Sequence, residues 1–151
     1  MGKAGERTES FVADVSVQPV DSRARQRRFL EIPWRIYQSD PCWRPPLRLA
    51  EEELLGFRPH PFYERNRARS FLATRGGRDV GRITAIVNRG HVERYHENRG
   101  FFGFFECEDD LAAAEALFAA AGDWLAGEGM TTLRGPVDPS LNYECGLLIE
   151  G

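Results

Sequence analysis

Lysine is almost missing from this chain. Of its 20 basic residues only Lys3 is a lysine, against nineteen arginines. Acidic residues number 23, so the net charge is −3 and no polyanion partner is implied. The densest basic stretch, Arg23, Arg25, Arg27 and Arg28, reads as a solvated helix face. Cysteine is scarce too: Cys42, Cys107 and Cys145 are odd in number and show no C-x-x-C spacing. That excludes a disulfide framework and a zinc site, and each thiol reads as a small buried residue. Long hydrophobic runs are absent, the first ten residues carry no signal-peptide pattern, and no stretch approaches the roughly 18 apolar residues that span a bilayer. Together with free thiols this points to the cytoplasm, without a membrane or nucleic-acid partner. Internal repeats and low-complexity tracts are likewise lacking.

What is present suits one domain with a real core: 151 residues, 42% hydrophobic and 28% charged. Residues 1–10 read as a disordered tail and 11–151 as the domain. Phe11–Val20 alternates as a strand ended by Pro19. Asp21 or Ser22 can cap a helix with Phe29, Ile32, Ile36 and Tyr37 on one face, and Pro33 predicts a kink or break in it. Asp40–Pro46 is a proline-stiffened loop, pinned or pocketed by Trp34 and Trp43. Leu47–Leu55 is a short helix with Gly56 as its stop, and an irregular stretch then runs to Asn66. Ser70–Thr74 and Val80–Val87 form a hairpin around Gly76–Asp79, and Asn88–Gly100 reads as a polar loop. Phe101–Phe105 is a buried strand whose Gly103 predicts a bulge or a close approach by another group. The periodicity of Leu111, Ala114, Phe118, Ala121 and Leu125 predicts a helix over Asp110–Ala126, with Glu108, Asp109 and Asp110 at its favoured anionic end. Met130–Arg134 is a further strand, followed by a Gly135-Pro136 turn. The apolar run Gly146–Gly151 has no polar tail after it, so the natural protein is expected to continue.

Several side chains qualify as site residues. Asn142 and Glu144 lie in a turn-rich segment and are ligand candidates, although Asn142 equally suits stabilisation of its own turn. Arg82 is either a cleft-facing ligand for an anion or the solvent-facing partner of an alternating strand. Cys145 has no histidine near it in sequence, so burial is the better account than nucleophilic chemistry. His91 and His96 are spaced to share neither a helix face nor a strand face, and no metal site is expected. His60 is a remote candidate base. Phe101, Phe102, Phe104 and Phe105 read as core, because the basic groove that accompanies base stacking is absent.

The element order, and the strand–helix unit at Phe101–Glu128 above all, resembles the GNAT acyltransferase superfamily. Stretches at Ile32–Tyr37, Asp40–Pro46, Val80–Ile83, Phe101–Phe105, Gly135-Pro136 and Asn142–Leu148 resemble a bacterial family of tandem GNAT-like proteins more than twice this length. The resemblance implies an α/β (α+β) fold with a mixed, mostly antiparallel sheet flanked by helices, its C-terminal elements missing here. It also implies an N-acetyltransferase acting on an unidentified small-molecule or peptide amine, with a C-terminal GNAT-like half as partner. A GNAT domain grips the pyrophosphate of acetyl-CoA with an Arg/Gln-x-x-Gly-x-Gly/Ala loop before its long helix. This chain offers Glu108-Asp-Asp-Leu-Ala-Ala-Ala114 there, without glycine and with three carboxylates. Acetyl-CoA is therefore expected in the full-length protein and not in this half. The half itself would either take part in catalysis or be an inactive substrate-binding or structural module. The resemblance does not name a catalytic base, and fold likeness alone does not carry chemistry.

Overall fold

Ser22 accepts a hydrogen bond from the Arg25 amide and so starts helix α1, Arg23–Ile36. The computed structural model describes residues 14–147; the expected tail, the first residues of the expected first strand and the end of the apolar C-terminal run lie outside them. Strand β1, Val15–Pro19, precedes α1, and helix α2, Arg48–Leu54, comes after it. Strands β2, Arg67–Arg75, and β3, Arg78–Val87, turn on Gly76 and Gly77 at φ 56° and 78°. Both glycines occupy the left-handed region that a two-residue hairpin turn requires.

Helix α3 spans Arg89–Tyr95, strand β4 Arg99–Cys107, helix α4 Leu111–Gly127 and strand β5 Thr132–Arg134. Two short strands, β6 at Val137–Asp138 and β7 at Glu144–Cys145, pair with each other. The main sheet has the order β1-β2-β3-β4-β5, antiparallel except for the β4–β5 pair. It is the mixed, mostly antiparallel sheet with flanking helices that the sequence led us to expect.

The sheet is covered on both faces. On one, Ala113, Leu117, Ala121 and Leu125 of α4 pack on Phe71, Ala73, Val80, Ile83, Ala85 and Val87. On the other, Phe29, Leu30 and Ile32 of α1 meet Leu55, Leu72 and Phe104. This double cover makes β3 buried along nearly its whole length.

Two expectations are corrected. Pro33 does not break α1, which runs on to Ile36. A proline removes the amide that would bond the carbonyl four residues back, here that of Phe29. That buried carbonyl instead accepts from Arg82 Nη1 at 3.1 Å, so the helix survives its proline through a tertiary contact. The segment Asn88–Gly100 is not all loop. Asn88 caps α3 by accepting from the His91 amide at 3.0 Å, and His96 ends it in the left-handed region at φ 54°. Neither signal stands out from so polar a stretch.

The bulge expected at Gly103 is present. Between Thr84↔Gly103 and Arg82↔Glu106, β4 contains one residue more than β3, and Phe104 takes up the strain at φ 49°. Gly103 also meets the expected close approach: a Cβ there would overlap the Val137 carbonyl of β6. Strand β6 is thus laid directly on the bulge, which a side chain at 103 would forbid.

Candidate active-site cleft

Beyond Phe101 and Arg134 the β4–β5 pairing stops. A cleft of about 640 Å³ is lined there by Tyr37, Trp43, Arg82, Phe104, Phe105, Glu106 and Asp138, with Asp40, Cys42 and Arg44 among the residues at its loop side. Tyr37 comes from the end of α1, Arg82 from β3, Phe104–Glu106 from the bulged part of β4 and Asp138 from β6. Residues far apart in sequence therefore converge at the β4 bulge.

Arg82 is the electrostatic centre. It is 4% exposed, its guanidinium stacks 4.9 Å from the Phe29 ring centroid, and its Nη1 donates to Glu51 Oε1 at 2.9 Å. The solvent-facing alternative for Arg82 is corrected: α1 packs on this face of β3 and Glu51 of α2 pairs with the guanidinium, so the side chain is buried. Arg82 Nε and Glu51 Oε2 are buried without hydrogen-bond partners among the described residues, an under-satisfied pair in a low-dielectric setting.

Opposite Arg82 in the β3–β4 register stands Glu106, whose Oε2 accepts from the Tyr37 hydroxyl. Burial raises the Glu106 carboxyl above the ordinary range, against the opposing pull of the Tyr37 hydrogen bond and the Arg82 charge. Burial, aided by Glu106, pushes Tyr37 up to about 12. Asp138 is raised by burial as well, although its Oδ1 accepts from the Phe104 amide at 2.6 Å and Arg82 lies near. Glu51, Glu106 and Asp138 thus share one guanidinium.

The start of α4 is different. Asp110 Oδ1 caps the helix by accepting from the Ala113 amide at 3.1 Å, and the same carboxylate takes both arms of Arg75, at 2.7 and 2.9 Å. Glu108 is gripped by Arg78 at 2.6 and 2.8 Å and reached by Arg35 at 3.3 Å. First-turn amide and positive helix end are already answered by the chain's own carboxylate. The bulge amide of Phe104, which could polarise a thioester carbonyl, is likewise taken by Asp138. These residues do not fit the pyrophosphate and acyl group of acetyl-CoA held in the usual GNAT manner.

The ligand candidates picked from the sequence do not share a site. Only Arg82 lines the cleft. Asn142 lines a separate hollow with His91, Tyr95 and Phe101, where its amide donates to Ser140 Oγ at 3.3 Å. The turn is therefore held by the Ser140 side chain. Glu144 is exposed on β7, paired with Asp138. Cys42 and Cys145 are exposed rather than buried, because their loop and two-residue strand lie on the surface. Cys107 is half-buried, and burial pushes its thiol up to about 11, away from nucleophilic use. His60 Nδ1 accepts from the Phe62 amide at 3.2 Å, a capping role. Trp43 packs on Trp34 and Tyr37 at 5.5 and 5.6 Å, pinning the loop and walling the cleft at once. Glu106, Tyr37 and Asp138 were missed by sequence reasoning, since nothing local marks them; the Gly103 bulge was the one pointer to their neighbourhood. Among the described residues no group of side chains could hold a metal, and no helix is long and apolar enough to cross a membrane.

No protein-family model matches the chain. Over 145 residues it is 42% identical to the bacterial ceramide synthase of Caulobacter vibrioides, a match covering 95% of this chain and 38% of that protein. It is 38% identical over 125 residues to Protein YghO of Escherichia coli, covering 83% and 32% respectively. The chain thus spans about a third of the length of the curated relatives it matches. Among solved structures, a tandem GNAT protein from the clavulanic acid biosynthesis pathway superimposes with a TM-score of 0.60 at 18% identity, covering 80% of this chain and 35% of that one. AAC(6')-Iy, bound to a CoA bisubstrate analogue, gives 0.59 at 16% identity, covering 86% and 84%. A putative acetyl transferase from Pyrococcus furiosus gives 0.52 at 17% identity, covering 91% and 98%.

Proposed function

Because the chain carries the GNAT acyltransferase fold, we propose that it is the N-terminal part of a longer N-acyltransferase, and that its cleft takes the amine acceptor. The observation that carries this reading is the cleft itself, where Glu106, held on Tyr37 and raised by burial, lies in surroundings with more negative than positive groups. An ammonium group is drawn to such a place. Its nitrogen forms an amide only after losing a proton, and a carboxylate whose proton affinity is raised by burial is suited to accept one. Glu106 is thus the general base, and Tyr37 orients it. Trp43, Phe104 and Phe105 offer apolar walls to a chain attached to the amine. The likeness to a ceramide synthase favours a long-chain amine, since a ceramide is the fatty amide of one. The activated acyl group is assigned to the rest of the protein, in keeping with the self-capped start of α4.

The test uses the full-length protein. In Glu106→Gln, kcat for amide formation should fall about 10²- to 10⁴-fold with acyl-CoA binding intact. Asp110→Ala should leave acyl-CoA affinity unchanged. If Glu106→Gln keeps its kcat, this part is a packing or recognition module without chemistry. If Asp110→Ala alters acyl-CoA binding, the cofactor sits here after all.

A further inference from the structure

The loop that rims the cleft and the first turn of α2 set exposed apolar side chains beside arginines. From Arg44 to Ala50 every residue is exposed, with Leu47 at 80% and Leu49 at 56%. No acidic residue occurs between Pro41 and Ala50; Asp40 precedes the stretch and Glu51, Glu52 and Glu53 follow it, with Glu51 held by buried Arg82 and Glu52 by Arg58. Arg44 Nη1 donates only to the main-chain carbonyls of Pro41 and Trp43 among the described residues, so no carboxylate there offsets its charge. Arg48 meets Glu31 at 2.7 Å with both side chains in solvent, an ion pair that water already weakens. Arg23 and Arg27 extend the cationic surface along α1, being exposed at four-residue steps before Glu31.

The loop is also stiff. Pro41, Pro45 and Pro46 restrict its backbone, while Trp43 is clamped on Trp34 and Tyr37 and Arg48 stacks on Trp34 at 4.2 Å. Leucines so exposed on a rigid support have no entropic reason to stay in water; they are presented. Leucines flanked by arginines match the boundary layer of an anionic bilayer, where apolar groups enter the acyl region and guanidinium groups meet phosphate. Asp40, Cys42, Trp43 and Arg44 belong both to this loop and to the cleft lining, so a surface seated here lies at the cleft's mouth.

We propose that Arg44–Leu49 docks this protein on an anionic lipid surface, so that a membrane-borne amine enters the cleft from the bilayer. Entry of the amine rests on the function proposed above; docking itself does not. The sequence expectation of no membrane partner came from the lack of a spanning run, which a peripheral loop does not need.

The experiment is co-sedimentation of the full-length protein with vesicles of phosphatidylcholine, with and without about 30% phosphatidylglycerol. Binding should require the anionic lipid and weaken between low and high salt. Leu47→Ser/Leu49→Ser and, separately, Arg44→Gln should each lower it, the double change by roughly tenfold or more. In the leucine variant, the thermal melt and turnover of a short, water-soluble amine should stay as in the wild type. Absence of vesicle binding, or binding unmoved by both variants, overturns the proposal. So does a lowered melt in the leucine variant, because the leucines would then be covered by the protein's own remaining chain. Turnover of the soluble amine without vesicle binding would sink docking alone. Vesicle binding without turnover of any amine would sink the functional reading alone.

Discussion

Glu106 and Glu108 lie two residues apart at the end of one strand, yet they belong to opposite kinds of site. Glu108 and its neighbour Asp110 are answered fully: Arg78 and Arg35 hold the first, Arg75 and the Ala113 amide the second. Asp110 is pulled below its ordinary range, first of all by the Arg75 hydrogen bond. Glu106 and Asp138 are desolvated and under-answered, with one shared guanidinium already committed to Glu51. Carboxylates paired with their own arginines at the surface hold the structure together; carboxylates that share one arginine in a cleft keep a raised proton affinity. Pairing and solvation separate the two, not residue type.

The two clusters should differ most at Arg82. Arg82→Met would leave Glu51 and the Phe29 carbonyl buried without partners and should cost about 3–5 kcal/mol in urea unfolding. A near-neutral result would mean the cleft tolerates its negative charge unaided. Gly103→Ala comes next: the added methyl overlaps β6, and a destabilisation of about 1–3 kcal/mol should accompany displacement of Asp138 from the Phe104 amide, visible as a shifted Phe104 amide resonance. Asp110→Ala should lower the melting temperature less than either, since a cap and an ion pair at the surface are lost without leaving a buried charge.

The smallest difference is in pH dependence. Glu106 and Asp138 have native values above those of the unfolded chain. The native state therefore binds more protons, and their contribution is full below about pH 4 and is lost as pH rises through the native values. Asp110 has a native value below its unfolded one, so its contribution is present above about pH 4 and is lost as pH falls through the native value. Urea melts across the range from acid to neutral pH should show Glu106→Gln flattening the loss toward neutral pH and Asp110→Asn flattening the loss toward acid. Identical profiles for the two variants would erase the distinction between the clusters.

Much of the fold was legible because its signals are local. Ser22 and Asp110 each cap the helix that starts at the next residue, Gly76 and Gly77 permit a tight turn, and Gly103 in an aromatic strand pointed to a bulge or a close approach, of which the fold has both. Local reading failed where the answer came from elsewhere. Pro33 stays inside α1 because Arg82, far along the chain, takes the carbonyl that proline frees. A solvent-facing Arg82 was open to the sequence because alternation cannot tell that both sheet faces are covered. Glu106 lies just before the acidic run Glu108, Asp109 and Asp110, and only the fold sets it apart from them.

Unaided, the sequence set the order of elements apart from α3, β6 and β7, the position of the bulge and the self-capped start of α4, because each depends on backbone chemistry within a few residues. Packing in three dimensions settled which carboxylates are stripped of water, which arginine is shared and where a stiff cationic loop meets a cleft. Desolvation and Coulomb interaction depend on what lies nearby in space, and along this chain those neighbours are tens of residues apart.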